Sequence, residues 1–166
     1  CLRINNIAGR ITALNELAQY EKWMNQALNL ARRAFAEDEV PVGALIIHED
    51  KIIAEAYNKR EQDRDPLAHA EIRAIAAAAE HLGRWRLQDC TMVVTLEPCA
   101  MCAGALVNAR IQRLIFAAKD PKAGACGSVF NIAHHPQLNH RVEIISDVLE
   151  SESRQLLQDF FRNKRA

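Results

Sequence analysis

The segment from Cys90 to Ala117 leaves the chain few folds to choose from. Cys90-Thr91-Met92-Val93-Val94-Thr95-Leu96 is apolar on both alternating faces and rich in β-branched residues, the pattern of a strand buried on two sides. Glu97-Pro98 ends that run, Cys99 to Arg110 follows as a helix with Pro98 at its mouth, and Leu114-Ile115-Phe116-Ala117 is a further strand. Strand, helix and strand in so short a span make a βαβ unit with a parallel pair. Such a pair must be covered by helices, so the chain is expected to be α/β.

The flanking sequence supplies the cover. Tyr20, Met24, Ala27, Leu28, Ala31 and Phe35 recur at steps of three and four, so Leu17 to Phe35 reads as an amphipathic helix. Val40-Pro41-Val42-Gly43 breaks it. Ala44 to His48 and Ile52 to Tyr57 then flank the polar Glu49-Asp50-Lys51 as a hairpin, and Lys59 to Arg64 reads as a loop. Asp65-Pro66 has the look of a helix start, with Asp as N-cap, and the helix runs on to Gly83. Lys119 to Asn139 is long for a loop, so a functional role or a short helix is expected there. Val142 to Ile145 is a last strand. Asp147 and Glu150 suggest a capping box for a final helix whose apolar side includes Leu149, Leu156, Leu157, Phe160 and Phe161.

Bulk properties narrow the function less. The length, 166 residues, suits one domain spanning 1–166, with residues 1–16 as an N-terminal extension. Lys plus Arg equals Asp plus Glu, so any nucleic-acid contact must come from local patches. Five cysteines in a chain with ample apolar residues do not suggest a disulfide scaffold, and the first residues lack a signal-peptide core. The expectation is a cytoplasmic protein with no membrane span.

Two short segments carry the chemistry: Pro66-Leu67-Ala68-His69-Ala70-Glu71 and Thr95-Leu96-Glu97-Pro98-Cys99-Ala100-Met101-Cys102. One imidazole and two thiolates supply three of the four ligands of tetrahedral zinc, leaving a position for water. Glu71, two residues past His69, is placed to handle the protons of that water. In a helix interior such neighbours diverge by about 200°, but at a helix tip both can face one ion. Two helix mouths aimed at the same point would also favour thiolate over thiol. Structural zinc without catalysis is the bland alternative. Cys1, Cys90 and Cys126 are read as free thiols. For Lys59, Arg60, Arg64, Arg84, Arg86, Lys119, Lys122, Arg162, Lys164 and Arg165 a solvated face competes with phosphate contacts around the pocket.

His69-Ala70-Glu71 with Pro98-Cys99-Ala100-Met101-Cys102 resembles the cytidine and nucleobase deaminase superfamily, whose signature is H-x-E with P-C-x-x-C. From about Glu21 onward the chain is similar to its tRNA-specific adenosine deaminase branch. The likeness runs through Glu39 to Ala44, Tyr57-Asn58, Ala103-Gly104-Ala105, Asp120 with Lys122, His134-His135-Pro136 and Asp159-Phe160-Phe161-Arg162. It departs at Lys59-Arg60-Glu61-Gln62, where proline and glycine are commoner. The resemblance implies a three-layer α/β/α cytidine-deaminase-like fold around a mixed five-stranded sheet. It further implies a homodimer that turns the wobble adenosine of a tRNA anticodon stem-loop into inosine, with zinc on His69, Cys99 and Cys102. Glu71 would be the proton shuttle, with Asn58 and the Ala70 amide contacting the base. A deaminase of a free nucleobase or nucleoside, such as guanine or cytosine, is the alternative, and a noncatalytic zinc-stabilised RNA-binding or scaffold protein is the third reading.

Overall fold

The computed structural model describes residues 2–165, with side chains from residue 9 onward, so the Cys1 thiol lies outside the described residues. A hairpin of β1 (Gly43–His48) and β2 (Lys51–Tyr57) turns at Glu49 and Asp50, both at positive φ (49° and 59°), which matches the twist of the strands it joins. β1 also pairs antiparallel with β3 (Cys90–Leu96). β3, β4 (Arg113–Ala118) and β5 (Glu143–Ile145) run parallel, giving one sheet in the order β2-β1-β3-β4-β5.

Side-chain alternation divides the interior in two. Ala44, Ile46, Met92, Val94, Leu114 and Phe116 pack against α3 (Ala70–Leu82) and α4 (Ala100–Asn108). Leu45, Ile47, Val93, Ile115 and Ala117 face the opposite way, onto Met24, Ala27 and Leu28 of α1 (Leu2–Ala36). α5 (Glu150–Arg165) joins α1 on that side, where Phe160 meets the Phe35 ring edge-on at 5.5 Å. The result is the expected three-layer α/β/α arrangement with a mixed sheet. Close contact between layers has a visible requirement: a Cβ on Gly43 would lie 2.1 Å from the Ala27 carbonyl oxygen, so β1 can approach α1 only with glycine there.

Four local expectations are corrected. α1 starts at Leu2 rather than Leu17; residues 9–18 are exposed, so burial periodicity carries no signal over this stretch of helix. Lys59 to Arg64 holds a one-turn helix, α2 (Arg60–Asp63), whose Gln62 N–H donates to Glu39 Oε1 at 2.8 Å. Asp65 does not cap α3. Its Oδ1 accepts the Leu67 N–H at 2.8 Å, an Asx turn that delays the helix until Ala70, with His69 at the N-cap. Asp147 likewise caps nothing: it stands at φ 67° and accepts the Ser146 hydroxyl at 2.6 Å, and α5 begins at Glu150. The long segment after β4 carries no helix but two β-bridges, Cys99 with Gly124 and Cys126 with Asn131.

Candidate metal and catalytic site

Topology brings the two sequence segments together. β2 and β3 are each antiparallel to β1, so they run in the same direction, and β4 runs with them. α3 follows β2 and α4 follows β3. Both helices therefore start at the same edge of the sheet, where the chain leaving β4 also emerges. His69 and Cys99 are the N-cap residues of α3 and α4, and neither side chain caps its helix. A Ser or Asp at such a position stabilises a helix by about 1 kcal/mol. Here the position goes to donor atoms that point at each other.

His69 Nδ1 lies 3.7 Å from Cys99 Sγ and 3.5 Å from Cys102 Sγ, and all three donors fall within 4.8 Å of one another. Taken as hydrogen bonds these contacts are long. As ligand separations they fit: bonds of ~2.3 Å to sulfur and ~2.0–2.1 Å to nitrogen give a tetrahedral N–S edge of about 3.6 Å. The group is able to hold a metal ion with a fourth position free, and among the described residues it stands alone as a cluster of this kind.

The same proximity sets the charges. The Cys102 thiol, donating to Cys99, and then His69 hold the Cys99 thiol down at about 3, while sharing its proton with Cys99 and burial push Cys102 up. The Cys99 contact raises His69 against the opposing effect of burial. Glu71, 4% exposed in the first turn of α3, is raised by burial, with its own helix-tip N–H and His69 pulling the other way. A carboxyl raised toward neutrality is suited to both taking and giving a proton.

A cavity of about 170 Å³ opens onto the group, lined by His69, Glu71, Cys99, Asn58 and Ala70 among others, with Cys102 buried behind. Every site residue expected from sequence is therefore brought to one place. Asn58 is 6% exposed; its Nδ2 donates to the Val40 carbonyl at 3.3 Å and its Oδ1 accepts the Arg60 N–H at 3.3 Å. It is thus both a turn residue and a cavity wall. Sequence reasoning passed over Glu97, which also lines the cavity, and Glu39, whose buried carboxylate sits behind Asn58 at 3.5 Å. Their sequence signal was membership of the Thr95–Cys102 and Glu39–Ala44 segments, in which neither was given a role.

The basic residues are more dispersed than the pocket-rim reading expected. Arg60 is exposed at the cavity. Arg84, by contrast, forks onto Asp89 at 2.6 and 2.8 Å, and Arg86 lies over the Trp85 ring, both beside the start of β3 and so at the far end of the sheet. Lys119 pairs with Asp147 and Lys164 with Asp38. His134 donates Nδ1 to the Val142 carbonyl at 2.9 Å, tying the long segment down. Cys90 and Cys126 are buried free thiols, as expected.

Residues 18–165 match the model of the MafB19-like deaminase family. The chain is similar to the tRNA-specific adenosine deaminase of Aquifex aeolicus, 48% identical over 145 residues, which covers 87% of this chain and 95% of that protein. Among solved structures it resembles one from a study of A-to-I editing by tRNA:A34 deaminases at the wobble position of transfer RNA, with a TM-score of 0.78 and 43% identity over 81% of this chain and 97% of that one. The guanine deaminase of Nitrosomonas europaea is more distant, at TM-score 0.70 and 27% identity over 84% of this chain and 83% of that one.

Proposed function

The chain belongs to the tRNA-specific adenosine deaminase family of MafB19-like deaminases, and from that membership we propose that it hydrolyses adenosine to inosine at the wobble position of a tRNA anticodon loop, releasing ammonia. The observation that carries the reading is the pairing of a tetrahedrally spaced His/Cys/Cys donor set with the buried Glu71 carboxyl on the wall of a small cavity. Typical drug-sized ligand pockets run to about 300–1,000 Å³. A space of about 170 Å³ suits a single base entering alone, as a splayed loop nucleotide would.

In this reading His69 Nδ1, Cys99 Sγ and Cys102 Sγ hold zinc, the ion that two thiolates and an imidazole select. Zinc, when bound, supplies a water with its pKa lowered from about 15.7 to roughly 7. Glu71 takes one proton from the attacking water and passes it to N1 of adenine as the C6–O bond forms. It then takes the second proton from the new C6 hydroxyl and delivers it to the departing amino group as the C6–N bond breaks, leaving the C6 carbonyl of inosine and ammonia. Burial of Glu71 keeps it from being solvated as a permanent anion. Asn58 and the Ala70 N–H at the tip of α3 orient the ring. Arg60 stands where the strand backbone would enter. The enzyme works as a homodimer in the cytoplasm with its tRNA; among the described residues no helix is long and apolar enough to cross a membrane.

The test is total tRNA incubated with zinc-loaded protein, digested and analysed by mass. Inosine at the wobble position is the expected product. Efficient conversion of free guanine, cytosine or adenosine by a protein that leaves an anticodon stem-loop untouched would overturn the reading in favour of a free-base enzyme.

A further inference from the structure

Glu97 is a buried charge that the proton chemistry does not use. It is 2% exposed and directly precedes Pro98-Cys99, and its carboxylate gathers donors from one segment only. Oε1 accepts the backbone N–H groups of Cys126 and Ser128, each at 3.0 Å. Oε2 accepts the Asp120 N–H at 3.0 Å and the Ser128 hydroxyl. The segment from 119 to 128 forms no helix or strand of its own, and the N–H groups of Asp120, Cys126 and Ser128 are satisfied by the carboxylate instead of by a ladder. An ionised carboxylate has two oxygens and about four acceptor sites and no donor, which matches four converging donors.

The segment also closes around this carboxylate. A Cβ at Gly124 would lie 2.4 Å from Glu97 Cδ and 2.6 Å from the Asp120 carbonyl oxygen, so glycine is required for the approach. Ala125 N–H donates to the Pro98 carbonyl at 2.8 Å, and Gly124 bridges Cys99 itself. Asp120 and Ala123 of this segment line the cavity together with Asn58 and Glu71.

We propose that Glu97 is a positioning residue, clamping the Asp120–Ser128 segment against the mouth of α4 so that this segment forms the substrate-facing wall of the cavity. The clamp sets where the base rests relative to Glu71 and leaves the proton transfers alone. Its signature is therefore a rise in KM larger than the fall in kcat.

The kinetic arm of the test rests on the deaminase reading; the exchange arm does not. Glu97→Gln puts an amide donor among the donors, and Gly124→Ala forces the segment away from the other side. With a synthetic anticodon stem-loop carrying adenosine at the wobble position, each variant is expected to raise KM about tenfold with kcat within about threefold. Each should retain its zinc by elemental analysis, and hydrogen exchange of the zinc-loaded protein should quicken over 120–128. The double variant should be no worse than the worse single one, because both break one clamp. Unchanged exchange over 120–128 in Glu97→Gln, a KM equal to wild type, or effects that add in the double variant would each overturn the proposal. If neither wild type nor variants act on the stem-loop, the functional reading fails while the exchange result still decides the clamp.

Discussion

Glu71 and Glu97 are the same residue type, 4% and 2% exposed, on the walls of one cavity, yet they have opposite surroundings. Glu71 stands in the first turn of α3 between a histidine and a cysteine pair, and burial raises it out of the ordinary carboxylate range. Glu97 is saturated by three backbone N–H groups and a hydroxyl. A buried carboxylate with few donors is ready to exchange a proton; one with every acceptor site filled holds structure in place. Burial alone thus assigns neither role, and the donor count separates them.

The sharpest way to break that contrast is Glu71→Gln. General acid–base catalysis is worth about 10²–10⁴-fold, so kcat on the stem-loop should fall by about 10³ with zinc content and Tm unchanged. A large loss of zinc or of Tm would mean that Glu71 is a structural prop. Glu97→Gln should behave the other way: leaving donors unpaired costs about 1–3 kcal/mol, which for a chain of this size lowers Tm by about 2–4 °C per kcal/mol. Calorimetry of the two variants side by side decides whether the roles are distinct. A smaller effect is expected at the rim, where Arg60→Ala should raise KM a few-fold and reduce the salt slope of binding by about one. A salt series that leaves the slope untouched would remove Arg60 from the phosphate path. The smallest effect concerns the other cysteines. Burial pushes the Cys90 thiol up to about 11 and the Cys126 thiol up to about 12, so both are protonated at pH 8. Native protein at that pH should leave them unalkylated until it is unfolded, and Cys90→Ala should keep its zinc.

Helix starts were less legible than strands, for a local reason. Asp65-Pro66 has the residue types of an N-cap, but the Asp65 carboxylate finds its donor two residues on, and the chain uses four more residues before α3 begins. Asp147 and Glu150 have capping-box spacing, but Asp147 sits at positive φ and turns to Ser146 and Lys119. In both places a short polar side chain had two competing local partners, and spacing does not choose between them. Strands were clearer because alternation and two-sided burial leave a long, redundant pattern: Cys90–Leu96 was read to the residue.

What the sequence determined by itself was the candidate donor set and the class of fold. His69, Glu71, Cys99 and Cys102 stand out by type and spacing, because the proposed metal ligation and proton transfer would tolerate few other side chains. The βαβ pattern from Cys90 to Ala117 likewise admits little besides a helix-covered sheet. Only the tertiary structure decided what surrounds those residues. That both helices open at one edge follows from β2 and β3 each pairing antiparallel with β1, and that Glu97 meets donors 23 to 31 residues away follows from the return of the chain after β4. Contacts of that range have no period to read. They form because buried acceptors and loop donors must be satisfied, and only the folded chain brings them within reach of each other.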